Sequence, residues 1–347
     1  MSPILNNFGD TIGVLEIGID MHSYSQYIQK QTLDITLNVG TLALVIILLI
    51  IEIFAFSPAF KKSNMFEKSQ SKCLSGENSS TIPETSRLLM FLVYVSNSLQ
   101  SSFVPSMAMS AYDKEIFGIP KSVGGTLPVV VEMLAAAIFS AIGGELQKRI
   151  DCKELMNLGA ITSAIGYLIM GLMHGYSPLF WGKLLTGAGL GLCIVSLNSA
   201  AASLPEKSSQ KAFSGISVGI ISGIQVGIVI GSLLVEFFGY NNIFLFSAIV
   251  CLCIIFISYF MFSPTKSSSV SEENHTKNNA FKFLFSSRAG AFLIFIIIPA
   301  YVGATIIDYY IPIFSLESGL SETNVGQISL IYGIFMIFIG PVISPYV

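Results

Sequence analysis

Ala212-Phe213-Ser214-Gly215-Ile216-Ser217-Val218-Gly219-Ile220-Ile221-Ser222-Gly223-Ile224-Gln225-Val226-Gly227-Ile228-Val229-Ile230-Gly231-Ser232-Leu233-Leu234-Val235 decides the fold. Five glycines, Gly215, Gly219, Gly223, Gly227 and Gly231, recur every four residues in an apolar run. In a soluble helix each would weaken the structure. In hydrocarbon the same spacing makes a smooth groove into which another helix backbone can press. Four residues of α-helix turn about 400°, so the stripe drifts about 40° per step and winds around its helix. The pattern predicts a close, inclined crossing with another spanning helix, and packing that can move.

The rest of the chain supports a membrane setting. It is 52% hydrophobic and 11% charged, with a mean hydropathy of +0.72. Soluble domains carry about 25% charged residues. Apolar runs long enough to cross a bilayer of about 30 Å recur at 36–57, 88–111, 123–144, 155–174, 179–201, 212–235, 242–263, 290–314 and 325–345. The expected fold is an all-α, polytopic transmembrane helical bundle of about nine spans. The net charge of −3 says little beside the distribution of charge.

Lysine and arginine set the orientation, because they concentrate in loops on the inner side. With the N-terminus outside, the inner loops hold Lys61, Lys62, Lys68, Lys72 and Arg87, then Lys148, Arg149 and Lys153, then Lys207 and Lys211, then Lys266, Lys277, Lys282 and Arg288. These are fourteen of the 18 basic residues. The expected placement is a multi-pass protein of the cell membrane, with an outer N-terminus and with Val347 on the cytoplasmic side. The cysteines add little. None of the 5 falls in a segment assigned outside, so no structural disulfide is expected.

Residues 1–35 lack the basic start of a signal peptide and carry Asp10, Glu16 and Asp20 among apolar residues. Phe8-Gly9-Asp10-Thr11 reads as a turn, and Ile12 to Ile19 as a β-strand. Gly9-Asp10-Thr11-Ile12-Gly13-Val14-Leu15-Glu16-Ile17-Gly18-Ile19-Asp20 resembles the closing strand of extracytoplasmic Cache-type sensor domains. The alternative is a short outer tail. Residues 58–87 and 264–289 are polar and aperiodic, and read as cytoplasmic linkers. The plan is therefore an outer tail or sensor remnant (1–35), one span (36–57), a linker (58–87), six spans (88–263), a second linker (264–289) and two spans (290–347).

Within the six-span unit, four local patterns occur in order. Gly143-Gly144-Glu145-Leu146-Gln147-Lys148-Arg149-Ile150-Asp151-Cys152-Lys153 follows its second span. Its fourth contains Lys183-Leu184-Leu185-Thr186-Gly187-Ala188-Gly189-Leu190-Gly191, its fifth is the glycine ladder, and its sixth opens with Gly239-Tyr240-Asn241-Asn242-Ile243-Phe244. Together they resemble the first half of a major facilitator superfamily transporter, over residues 88–347. Gly144, Arg149 and Lys153 match the family's conformational-switch loop, while Lys148 stands where an acid is usual and Asp151 where a glycine is usual. That departure removes the family's acidic latch unless Glu145 or Asp151 replaces it. The ladder is similar to the motif C of drug:proton antiporters, without its proline, and so implies efflux. The resemblance implies twelve helices in two halves. Here the second half holds two, and a C-terminally truncated chain is the expectation.

Ionisable groups inside spans are costly and are functional candidates by default. Glu132 sits mid-span, four residues after Pro128, which loosens the local helix. A carboxyl removed from water holds a proton more readily, so Glu132 is a candidate for proton coupling. The competing role is a structural bond to a neighbouring helix. Lys183 is a candidate to pair with a carboxylate, to relay charge or to contact an anionic solute, or else a lysine reaching to the outer interface. Asp308 is the third candidate, near an outer mouth. Glu52 and Glu236 lie near span ends and read as solvated, and His174 as interfacial. Asn97, Gln100 and Asn198 read first as helix-to-helix bonds. No Ser/His/Asp set, phosphate-binding glycine loop or metal-ligand spacing occurs, so neither an enzyme nor a bound cofactor or metal is expected.

The reading is a secondary active transporter of a small solute, coupled to protons, whose partners are the lipid bilayer, the solute and protons, with no nucleic acid. Two alternatives stand beside it. One is a receptor in which an outer sensor domain regulates the bundle. The other is an inactive truncated remnant.

Overall fold

The computed structural model describes residues 2–5, 11–15, 82–112 and 121–261, with a few isolated positions between 295 and 327. The predicted span 36–57 lies outside the described residues, as do Glu52 and Asp308 and, apart from those isolated positions, the spans 290–314 and 325–345. The chain divides into two compact units, Met1–Leu44 and Val45–Val347.

In the first unit, β1 (Ser2–Leu5) pairs antiparallel with β2 (Thr11–Leu15). Ser2 lies opposite Leu15 and Ile4 opposite Gly13. The expectation was a lone strand over Ile12 to Ile19. A strand needs a partner for its backbone donors and acceptors, and Ser2–Leu5, too short to be recognised by alternation, supplies it.

The second unit is helical. Its described helices are α1 (Ile82–Ser98), α2 (Val104–Ala111), α3 (Lys121–Leu146), α4 (Cys152–Leu172), α5 (Tyr176–Ala202), α6 (Glu206–Phe238) and α7 (Tyr240–Met261). Five of them, α3 to α7, are long and apolar enough to cross a membrane. Glycines with positive φ make two of the sharp reversals: Gly175 (φ 115°) between α4 and α5, and Gly239 (φ 76°) between α6 and α7.

Two boundaries differ from expectation. The predicted linker 58–87 ends in helix, since α1 begins at Ile82. The predicted span 88–111 is also interrupted between Ser98 and Val104. There Ser101 N–H donates to Ser98 O, and Phe103 N–H to Gln100 O. These are tighter, three-residue turns. Pro105 has no N–H to continue an α-helix and instead stands in the first turn of α2.

The glycine ladder packs on α1. A β-carbon at Gly219 would stand 2.6 Å from the Arg87 carbonyl oxygen, at Gly223 2.6 Å from that of Phe91, and at Gly227 2.9 Å from that of Val95. At Gly231 it would fall on the Leu99 carbonyl. Both partners advance by four residues per contact and in the same direction, so α1 and α6 run parallel. The contact continues over twelve residues, about 18 Å of helix rise.

Elsewhere α4 packs on both α5 and α7, and α3 on both α2 and α5. Phe103, Tyr167 and Phe244 belong to one buried apolar cluster, and Leu89, Met156 and Leu197 to another. The outside is apolar as well. Met133, Leu134 and Ile138 on α3, Ile161, Ile165 and Leu168 on α4, and Ile249, Leu252 and Phe256 on α7 are exposed. In water such a surface would drive association. In hydrocarbon it is the expected exterior of helices whose backbone bonds are internally satisfied.

Candidate functional site

The site is assembled from α1, α3 and α5. Its centre is Glu132, buried midway along α3. Pro128, one turn earlier, cannot donate to the Gly124 carbonyl. The Tyr176 hydroxyl, from the first turn of α5, donates to that oxygen at 2.6 Å. Tyr176 in turn meets the Tyr112 ring edge-on, with centroids 5.1 Å apart. The proline that loosens α3 is thus tied to the ends of α2 and α5.

α5 reaches Glu132 because three glycines let its backbone approach its neighbours. A β-carbon at Gly187 would fall on the Glu132 backbone carbonyl, and one at Gly191 on that of Ala136. Gly189 lies as close to Gly159 and Ser163 of α4. The small-residue run holds α5 in a groove between α3 and α4. Lys183 and Thr186, three apart and so on one face of α5, then reach the Glu132 carboxylate.

Lys183 Nζ donates to Glu132 Oε2 at 2.8 Å, with both side chains under a tenth exposed. Asn97 Nδ2 of α1 donates to Oε1 at 2.7 Å, and Thr186 Oγ1 donates to the same oxygen at 2.9 Å. The carboxylate therefore has three donors and one compensating charge. Burying both ions costs several kcal/mol of solvation, offset only by good geometry and further hydrogen bonds. Removing one partner from such a pair costs roughly 3–5 kcal/mol, since the other charge is left without compensation. This makes the pair a strong constraint on when either charge can be released.

A second ring of polar groups lies behind the first. Gln100 Nε2 donates to the Asn97 backbone carbonyl at 3.1 Å. Tyr167 of α4 is fully buried. A small cavity opens beside them, with Asn97, Ser163, Tyr167, Thr186, Cys193 and Cys251 among its lining. Asn97 and Thr186 thus face both Glu132 and the cavity.

The remaining candidates lie elsewhere. Gly144 has no atom within 4 Å of where a β-carbon would stand, and Arg149 is exposed. Lys153 donates to the Tyr259 backbone carbonyl at 2.7 Å and lies 4.4 Å from the centre of that ring, fastening the start of α4 to the end of α7. Glu145 pairs with Lys148 three residues on, at 2.9 Å and exposed. His174 meets Asn241 side chain to side chain, and Glu236 is exposed. Among the described residues, no group of three or more His, Cys, Asp or Glu is placed to hold a metal ion.

Sequence reasoning singled out Glu132 and Lys183 separately, and named Asn97 and Gln100 as helix-to-helix bonds. It passed over Thr186 and Tyr167. Thr186 had a signal, the three-residue spacing from Lys183. A tyrosine in an apolar run has none.

Comparison with known proteins decides the family. The signature of the Major Facilitator Superfamily matches residues 88–347. The chain belongs to this superfamily. An uncharacterized transporter of Buchnera aphidicola (subsp. Acyrthosiphon pisum, strain APS) is 25% identical over 154 residues, which are 44% of this chain and 38% of that protein. The chain thus aligns with well under half the length of that curated relative. Among solved structures, a D-xylose-proton symporter superposes with a TM-score of 0.57 at 16% identity, covering 76% of this chain and 68% of the other. A POT-family transporter in complex with a thioalcohol-conjugated peptide superposes with a TM-score of 0.51 at 14% identity, covering 76% and 69%. At such identities the likeness is one of fold. Membership of the superfamily makes the chain a multi-pass membrane protein of a transporter family, not an enzyme.

Proposed function

We propose that this chain is a secondary active transporter of a small solute, coupled to protons through Glu132. The observation that carries the reading is the Glu132–Lys183 pair, buried between α3 and α5 with Asn97 and Thr186 as further donors. A carboxylate so placed gives up its negative charge only by taking a proton. Doing so releases Lys183 and loosens the contact between two helices. Proton binding and helix movement are then one event, which is what coupling requires. Asp308 stays a candidate from sequence for a second ionisable position. Gly144, Arg149 and Lys153 are proposed as the conformational-switch loop, with the Lys153–Tyr259 tie as its fastening to α7.

The orientation proposed is an outer N-terminus and a cytoplasmic Val347, on the distribution of lysine and arginine. Outward movement of the solute, suggested by the ladder's likeness to motif C, fits either exchange against protons or co-movement down the solute's own gradient. The test is flux in reconstituted vesicles. Glu132→Gln is expected to abolish solute flux driven by a pH gradient while the protein stays folded. Unchanged flux would remove Glu132 from the coupling role.

One observation favours a second reading. The β1–β2 hairpin gives the N-terminal segment a β-structure of its own, as the likeness to a sensor-domain end would have it. In that reading an outer module governs the bundle. Deleting residues 1–35 is then expected to change the response to an external ligand, whereas unaltered transport kinetics would oppose it.

A further inference from the structure

Two cysteines from different helices line the cavity beside Asn97: Cys193 of α5 and Cys251 of α7. Each is 1% exposed, and each is a free thiol. The cavity measures about 10 Å³, room for about one water molecule. A single ion set in so small a space is within reach of both side chains. α5 and α7 each pack on α4, so an ion held by both would tie them to one another directly.

The rest of the lining narrows what the cavity can hold. None of its residues is an acid or a base charged at neutral pH. Ser96 Oγ donates to the Val93 carbonyl at 2.8 Å, and Thr186 Oγ1 has the Lys183 carbonyl within 3.0 Å. Cys193 Sγ meets the Met156 carbonyl at 3.7 Å, a weak bond from a weak donor. A hard cation would bring a charge that nothing in this lining offsets, and it takes about six or more oxygen ligands. A soft ion exchanges its charge for thiol protons, and thiolates are the ligands that select it. Among the described residues, no group of three or more His, Cys, Asp or Glu is placed to hold a metal ion, so a tetrahedral site of the zinc kind is not served. Two sulfurs suit an ion that is content with two ligands.

We propose that Cys193 and Cys251 form a two-coordinate site for a soft metal ion of the copper(I), silver(I) and mercury(II) class, which clasps α5 to α7. With a divalent ion both S–H bonds break, two sulfur–metal bonds form and two protons pass to solvent. With a monovalent ion one proton leaves and the second sulfur binds as a neutral thiol. No electron is transferred. In both cases the loaded cavity carries no net charge, as its uncharged lining requires. The site uses neither Glu132 nor Lys183, so it stands apart from the coupling role of that pair.

The test uses the full chain purified in detergent, its readily reached thiols first blocked with N-ethylmaleimide, and mercuric chloride as the probe. One ion is expected to bind per chain, read by thiolate-to-metal charge-transfer absorption, and to raise the melting temperature. Methylmercury chloride, which accepts a single thiolate, is expected to give no such rise. Cys193→Ser and Cys251→Ser are each expected to hold the mercuric ion roughly a hundredfold more weakly, because the second bond of a bridged ion forms within one molecule. Cys152 is buried but does not line the cavity, and Cys152→Ser is expected to bind like the unaltered protein. Absence of binding, equal stabilisation by methylmercury, unchanged affinity in either cavity variant, or loss of binding in Cys152→Ser would overturn the assignment. Where a serine variant does not fold, the comparison of the two mercury compounds on the unaltered protein decides alone.

Discussion

Tyr176 donates its hydroxyl to the backbone carbonyl of Gly124, the oxygen that Pro128 leaves without its helical donor. One side chain thus offsets a defect on another helix. An unpaired buried carbonyl costs about 1–3 kcal/mol, so Tyr176→Phe is expected to lower the melting temperature of the detergent-solubilised protein. Pro128→Ala restores a backbone N–H four residues after Gly124. In the Tyr176→Phe background it is expected to recover most of the loss, and simple additivity of the two changes would show that the hydroxyl and the proline are unrelated.

Gly187 should be the least replaceable glycine of α5. A methyl group there would press on the Glu132 backbone carbonyl, and overpacking of this kind costs about 1–3 kcal/mol. More tellingly, it would push α3 away from Lys183 and Thr186. Gly187→Ala is expected to lose proton-linked transport even in the fraction that folds. Gly144→Ala makes the contrast, because nothing stands within 4 Å of the new atom. Alanine in a helix is worth about 0.5–1 kcal/mol over glycine, so its melting temperature should hold or rise. Equal damage by both changes would refute the packing argument.

The ladder makes a separate prediction. Gly231→Ala places a methyl on the Leu99 carbonyl, beside the interruption between α1 and α2. It is expected to weaken the α1–α6 contact near that interruption and leave the far end, at Gly219 and Arg87, in place. Cysteine cross-linking at the two ends would show this as a loss near Leu99 alone. Uniform loss along the contact would mean that the two helices separate as rigid rods.

These residues also show what could be read from sequence. The ladder was legible because its spacing is local, and four-residue repetition of glycine in an apolar run has few other physical uses. Its partner was not. Arg87, Phe91, Val95 and Leu99 contribute carbonyl oxygens, which every residue has, so nothing in their side chains marks the contact. Glu132 and Lys183 stood out because charge within a span is costly. Their pairing did not, because they are 51 residues apart and meet only through the rotation of α3 and α5, which Gly187 and Gly191 set. The interruption at Leu99 to Phe103 was hidden because apolar residues flank it on both sides. Its cause, Gln100-Ser101-Ser102 followed by Pro105, is visible only when backbone donors are counted.

The central claim is that protonation of Glu132 is the event that couples the gradient to transport. Exchange and driven flux separate this from a structural role. In vesicles of Glu132→Gln, solute-for-solute exchange at equal pH is expected to persist, because a neutral side chain permits the helices to move. Accumulation driven by a pH gradient is expected to vanish. Driven accumulation at the level of the unaltered protein would contradict the account, and loss of exchange together with driven flux in a folded variant would assign the pair to structure instead.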